Sequence, residues 1–279
     1  MTNRSEQMKK HLLGFAAAVG LSIGLAGAAQ ADMLSDIKER GKIVAATEMH
    51  YAPFDILKDG EYQGICHDLF TEVAKELGVE VEFLDLPWQS ILPGLEAGKF
   101  DFVNAPVTIT AERMKRYNFT LPIGNATVAL AKKAGDDGIA KPEDIAGKAV
   151  GSQKGSAQLE QLKAFSESLA TPADVREYVN IDEALADLAA GRIQAVANSA
   201  PLMGYAAVQR AGLFEMVMPP FGDPKFFGWV APGGEDSATL IAEINKIIIK
   251  MHEDGRLQAI NEKWLGSNPD LPTTMPVVN

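Results

Sequence analysis

The sequence predicts an α/β protein of two similar lobes with a ligand cleft between them. Two observations carry that expectation: strand-like and helix-like segments alternate along the chain, and one helix–glycine–strand junction occurs twice. Alternation of this kind places parallel strands in sheets flanked by helices. The junction runs first as Leu92-Pro-Gly-Leu95-Glu-Ala-Gly98-Lys99-Phe100-Asp101, then as Leu185-Ala-Asp-Leu188-Ala-Ala-Gly191-Arg192-Ile193-Gln194. Each copy reads as an amphipathic helix stopped by glycine, a basic residue, and a short buried strand. Gly41-Lys42-Ile43-Val44 and Gly147-Lys148-Ala149-Val150 open the two segments in the same way. Offsets of 106 and 93 residues exceed solenoid periods and fit two lobes.

The first segment, residues 1–31, reads as a cleaved export signal. Arg4, Lys9 and Lys10 form a basic start, Leu12 to Ala26 an apolar run, and Ala29-Gln30-Ala31 a small-residue cleavage site before Asp32. An uncleaved anchor is the alternative, since the run approaches membrane-spanning length. Its Gly and Ala content and small-residue end favour cleavage, and no cysteine follows to carry a lipid. Gly20-Leu21-Ser22-Ile23-Gly24 matches a nucleophile elbow, but inside an apolar export segment the pattern has no catalytic meaning.

Beyond Asp32, strands are expected at residues 42–47, 79–84 and 100–105, with helices near 66–77 and 88–97. The second lobe repeats the plan, with strands at 148–152, 175–179 and 193–198 and helices near 156–168 and 181–190. Two closing helices, near 237–254 and 256–265, break at Gly255.

Charge and cysteine usage exclude several functions. The net charge is −11, and loss of Arg4, Lys9, Lys10 and Glu6 with the signal makes it −13. Nucleic-acid binding needs a positive footprint and is not expected. One cysteine permits no internal disulfide, and no Cys-x-x-Cys, Walker loop, G-x-G-x-x-G or H-E-x-x-H occurs. His50, Cys66 and His67 lack paired metal-ligand spacing and read as packing or surface residues. No cofactor or metal is expected.

In sheets of this type, ligands sit beyond the carboxyl ends of the strands, where helices begin. After strand 100–105 comes Thr108-Ile109-Thr110-Ala111-Glu112-Arg113. Thr110 is a candidate N-cap, and Arg113, one turn in, can grip a carboxylate with its fork or make a surface ion pair. After strand 148–152 comes Gln153-Lys154-Gly155-Ser156, where Ser156 either caps the next helix or donates to the same anion. Tyr51 and Trp88 follow two first-lobe strands, either as packing residues or as faces for a planar or cationic ligand portion.

These stretches, with Tyr51-Ala52-Pro53-Phe54, Gly64-Ile-Cys-His-Asp68-Leu69, Asn118-Phe119-Thr120, Lys154-Gly155-Ser156 and Lys263-Trp264, occur in an order specific to one family. Over residues 35–266 the chain resembles the extracellular solute-binding proteins of family 3, the amino-acid receptors of ABC importers. The resemblance implies a two-lobed periplasmic-binding-protein fold, type II-like, with two hinge strands crossing near 123–127 and 223–227. Lobe 1 would comprise residues 32–124 and be completed by 223–279, with lobe 2 at 125–222. The implied protein is a periplasmic monomer that captures a small carboxylate-bearing solute, an amino acid or derivative, by lobe closure. It would deliver the solute to an ABC transporter permease.

By the same resemblance, the ligand-stacking aromatics fall on Tyr51 and Trp88. The carboxylate-binding arginine falls on Arg113, with Thr108 beside it. Gly155-Ser156 forms the second-lobe helix start, and Glu48 and Gln153 take positions that vary with the ligand. Two departures matter. The second-lobe aspartate that pairs with an α-ammonium is Ser199 here, preceded by Asn198, and a residue whose N–H commonly meets the ligand is Pro106. A buried ammonium without a counter-charge costs several kcal/mol. Either Glu48 supplies that charge or the ligand lacks an α-ammonium. Enzymes on this scaffold, the cyclohexadienyl dehydratases, use a second-lobe glutamate for proton transfer; that position is Leu202, so catalysis is not expected. A sensor that presents its ligand to a membrane receptor is a further alternative.

Overall fold

The computed structural model describes residues 32–278; the predicted export signal lies outside the described residues. Asp32 caps α1 (Met33–Arg40), its side chain accepting from Ser35 N–H at 2.9 Å. The first lobe continues with β1 (Lys42–Thr47), β2 (His50–Tyr51), β3 (Asp55–Lys58), β4 (Glu61–Gln63) and α2 (Ile65–Leu77). Then come β5 (Glu80–Asp85), α3 (Trp88–Glu96), β6 (Phe102–Thr108), α4 (Ala111–Met114), β7 (Tyr117–Phe119) and β8 (Gly124–Asn125). The second lobe holds β9 (Val128–Lys133), the 3-10 turn Pro142–Ile145, β10 (Ala149–Gln153), α5 (Ala157–Glu167), β11 (Asp174–Tyr178) and α6 (Ile181–Ala189). It ends with β12 (Ala195–Ser199), α7 (Ala200–Gln209) and β13 (Phe214–Phe221). The chain returns through β14 (Phe226–Pro232) to α8 (Ala238–Glu253) and α9 (Arg256–Leu265).

The duplication read from the sequence reappears in the strand order. One sheet runs β5-β1-β6-β14-β7, with β8 also on β14; the other runs β11-β10-β12-β9-β13. In each, the first three strands are parallel and the next pairs antiparallel. The antiparallel strand comes from opposite chain directions: β9 precedes its parallel set, while β14 arrives after the whole second lobe. Residues 126–127 and 222–225 therefore carry the chain between the sheets.

The first lobe is packed on both faces of its sheet. On one face, α1, α2, α8 and α9 bury Phe70, Phe102, Ile244, Ile248 and Trp229; on the other, α3 buries Ile91 and Leu95 against Val103 and Val107. Burying side chains of this size stabilises by about 1.5–3 kcal/mol each before entropy is counted. Ion pairs of Arg256 with Glu72 and Glu76, and of Lys263 with Asp68, fasten the C-terminal helices to α2. Among the described residues, no helix is long and apolar enough to cross a membrane.

The alternating elements agree with the sequence to within a few residues. The largest difference is the third strand, which begins at Phe102 rather than 100 and runs on to Thr108. Asp101 turns the chain instead of extending it: its Oδ2 accepts from Val44 N–H at 2.8 Å and pairs with Arg40. The strand persists past Pro106 because the β6–β14 register shifts between Gly228 and Val230, opposite the stretch that lacks an N–H. The sheet of β2, β3 and β4 was not expected. Its signal is Asp59-Gly60, both at positive φ in the β3–β4 turn.

Candidate functional site

The parallel strands deliver their carboxyl ends to one cavity between the sheets. It is partly open to solvent and is lined by Glu48, Tyr51, Trp88, Thr108, Arg113, Gln153 and Ser156. Ala105, Pro106, Ala157 and Gln158 complete the wall. Seven of the nine sequence-nominated residues thus meet in one place. Asn198 and Ser199 do not line it; they are buried at the end of β12, facing the Tyr51 hydroxyl.

Arg113 is placed by Thr110, which caps α4 by accepting from Arg113 N–H at 3.2 Å. Its guanidinium donates to the carbonyls of Thr108 at 3.2 Å and Gly155 at 3.5 Å, and lies 5.5 Å from the centre of the Trp88 ring. Among the described residues it makes no ion pair. Desolvation holds this guanidinium down to about 10, the cost of keeping a cation without a carboxylate partner.

Glu48 follows β1 directly and is 5% exposed. Gln153 Nε2, at the end of β10, donates to its Oε2 at 2.7 Å. Burial pushes its carboxyl up to about 7, against the lowering effects of Gln153 and the Trp88 N–H, with Asp85 and Asp182 adding repulsion. Among the described residues, Glu48 is the only acid lining the cavity, and Arg113 its only base.

Ser156 caps α5: its hydroxyl accepts from Leu159 N–H at 3.0 Å and donates to the Gln153 carbonyl at 2.8 Å. With the hydroxyl so engaged, this helix start still offers an anion its first-turn backbone N–H groups. Gly155 takes φ +74°, a conformation that favours glycine, and so turns its carbonyl toward Trp88 Nε1, 3.1 Å away. Gln158 carries no motif that the sequence reading singled out. Its amide donates at 3.2 Å to both the Thr108 hydroxyl and the Ala126 carbonyl, joining α5 to β6 and to a crossing segment. Its position two residues after the cap was the available signal.

The lobes therefore touch through Glu48–Gln153, Trp88–Gly155, Arg113–Gly155, Thr108–Gln158 and Tyr51–Asn198. Tyr51 is 7% exposed, edge-on to Phe227, and its hydroxyl donates to Asn198 Oδ1 at 2.5 Å. Tyr51→Phe is expected to remove a bridge worth about 1 kcal/mol, weakening affinity for the protein's ligand about fivefold. Small-angle scattering of the ligand-free variant should show a more open particle; unchanged affinity and scattering would count against a role in closure.

Cys66, the sole cysteine, is buried in the first lobe, and burial pushes its thiol up, away from thiolate chemistry.

Comparison with known proteins agrees with this geometry. The model of bacterial extracellular solute-binding proteins, family 3, matches residues 43–267. The L-cystine-binding protein TcyJ of Escherichia coli K12 is 31% identical over 265 residues, 90% of this chain and 93% of its own. The lysine/arginine/ornithine-binding periplasmic protein of the same organism is 28% identical over 267 residues, 94% of this chain and 98% of its own. Among solved structures, an ancestral amino-acid-binding protein described as a precursor of cyclohexadienyl dehydratase superposes with TM-score 0.76 at 30% identity. That superposition covers 83% of this chain and 99% of the other. An ancestral arginine-binding protein bound to arginine gives TM-score 0.73 at 33% identity over 81% of this chain and 99% of its own. The ordered motifs, the duplicated sheets and the matched model converge: this chain belongs to the bacterial extracellular solute-binding proteins of family 3.

Proposed function

We propose that this protein captures an amino acid, or a close derivative, by closing its two lobes over it, and passes it to the membrane permease of an ABC importer. One observation carries the reading: a guanidinium and a carboxyl, each without a charged partner among the described residues, line the same aromatic-walled cavity between the lobes. A solute with one negative and one positive end satisfies both. Its carboxylate belongs at Arg113, near the Thr108 hydroxyl and the first-turn N–H groups of α5. Because both lobes contribute groups, binding favours the closed arrangement through differential affinity. Export by residues 1–31 places this capture in the periplasm, by a single chain.

Binding rather than catalysis follows from the acids present. Leu202, the position that the family resemblance aligns with the proton-transfer glutamate of scaffold enzymes, is apolar and 2% exposed, and among the described residues Glu48 is the one acid lining the cavity.

A thermal-shift panel tests the reading on protein refolded free of co-purified solute. The panel is the twenty standard L-amino acids, L-cystine, betaines, opines and plain organic acids, each at millimolar concentration. A solute at 100 times its Kd adds about 2.7 kcal/mol and raises the melting temperature by several degrees. A shift with an amino acid or derivative is expected; no shift across the panel would sink the reading.

A further inference from the structure

Resting on the reading above, we propose that capture at Glu48 is a proton exchange: the solute's α-ammonium takes the place of the proton on this carboxyl, which leaves to solvent. Glu48 thereby selects solutes that carry both an ammonium and a carboxylate, a task that the second lobe does not perform.

The second lobe is unsuited to that task for geometric reasons. Ser199 stands at the end of β12, but its hydroxyl lies 3.4 Å from the Tyr51 hydroxyl and its N–H donates to Asn198 Oδ1 at 2.7 Å. Asn198 is fully buried, with its Oδ1 occupied by Tyr51 and Ser199. Neither residue presents a negative charge, and neither lines the cavity. Glu48 does line it, and among the described residues its one bond from a side chain comes from a neutral amide, Gln153.

The groups around Glu48 act in one direction. Asp85 at the end of β5 and Asp182 at the start of α6 both disfavour its ionisation, while Tyr51 on β2 and Asp55 on β3, which keeps its own proton at neutral pH, lie close by. His50 stands 3.7 Å from Asp182, and Arg113 lies elsewhere in the wall of the same cavity. With burial, these carboxylates leave Glu48 near half-protonated at neutral pH, at about 7. An ammonium arriving beside it restores the missing counter-charge, pulls the value down, and expels the proton. The expected pH dependence follows. Affinity for an ammonium-bearing solute falls as pH drops below 7, because the proton competes. Affinity for an ammonium-free acid moves the other way.

Calorimetric titration of the protein in phosphate and in Tris separates proton transfer from binding. The probes are each amino acid that shifts the melting temperature in the panel above. L-glutamine and glutaramate serve as a matched pair differing only in the α-ammonium. At pH 7 each binding amino acid should release about half a proton per site, and almost none at pH 8.5. Affinity should be about 25-fold weaker at pH 5.5 than at pH 7.5. Glu48→Gln should bind more weakly, release no proton and show a flat profile over that range, while Asp55→Asn, outside the cavity, should release protons as the parent does. Amino-acid binding with no proton release and a flat profile would overturn the exchange and leave the receptor reading standing. Glutaramate binding as tightly as glutamine would overturn it too. If no panel member binds, the receptor reading itself falls, and the exchange with it.

Discussion

Arg113→Ala is expected to abolish the melting shift with every carboxylate solute and to weaken affinity at least a hundredfold. Removing one side of a desolvated, charge-assisted hydrogen-bond pair costs about 3 kcal/mol or more. The same substitution should leave the ligand-free protein as stable as the parent, or more stable. The guanidinium is desolvated, bonds only carbonyls, and forms no ion pair among the described residues. Arg113→Lys keeps the charge but loses the fork, so roughly a tenfold loss is expected. Paired melting curves, with and without the best solute of the panel, read both effects. Retained binding in Arg113→Ala would remove this residue from the site.

Asp55→Asn is expected to stabilise the protein at neutral and alkaline pH, increasingly so as pH rises. Asp55 is fully buried in the first lobe, where Tyr62 donates to its Oδ1 and the Thr47 hydroxyl and Cys66 thiol lie against it. Burial pushes this carboxyl up to about 8, despite the lowering effect of Tyr62. Its value in the unfolded chain is about 3.9. Between those two values the folded protein holds a proton that the unfolded chain has released. Stability therefore falls as pH rises, by about 1.4 kcal/mol per pH unit, and levels off above the folded value. The total is several kcal/mol, and each corresponds to roughly 2–4 °C of melting temperature at this size. Asparagine keeps the acceptor for Tyr62 and removes the titration. The two melting temperatures should nearly coincide at pH 4 and diverge by about 5 °C or more at pH 8. Parallel profiles for parent and variant would show that Asp55 is ionised in the folded state.

How far the site was legible depended on whether a residue's role is local. Thr110 and Ser156 are caps, and capping is a matter of a few consecutive residues, so their positions after buried strands revealed them. For Ser156 the structure shows the capping role: its hydroxyl bonds its own helix start and the end of the preceding strand. Asn198 and Ser199 were placed at the right strand end, but their orientation depends on Tyr51, nearly 150 positions away in sequence. Gln158 was missed because its partners, Thr108 and Ala126, belong to another sheet and a crossing segment. The β2–β4 sheet was missed although its Asp59-Gly60 turn is a local signal.

By itself, the sequence determined the alternation of elements, their approximate boundaries, the duplication, and the family. All of these rest on short-range patterns: apolar periodicity, glycine stops, caps and ordered motifs. Only the tertiary structure decided the rest. It returned β14 to the first sheet after the whole second lobe, brought Glu48 against Gln153, and left Arg113 among carbonyls. It also turned Ser199 away from the cavity toward the Tyr51 hydroxyl. The physical reason is that charge state and side-chain direction are set by what surrounds a group. In this protein those surroundings come from segments far apart in the chain.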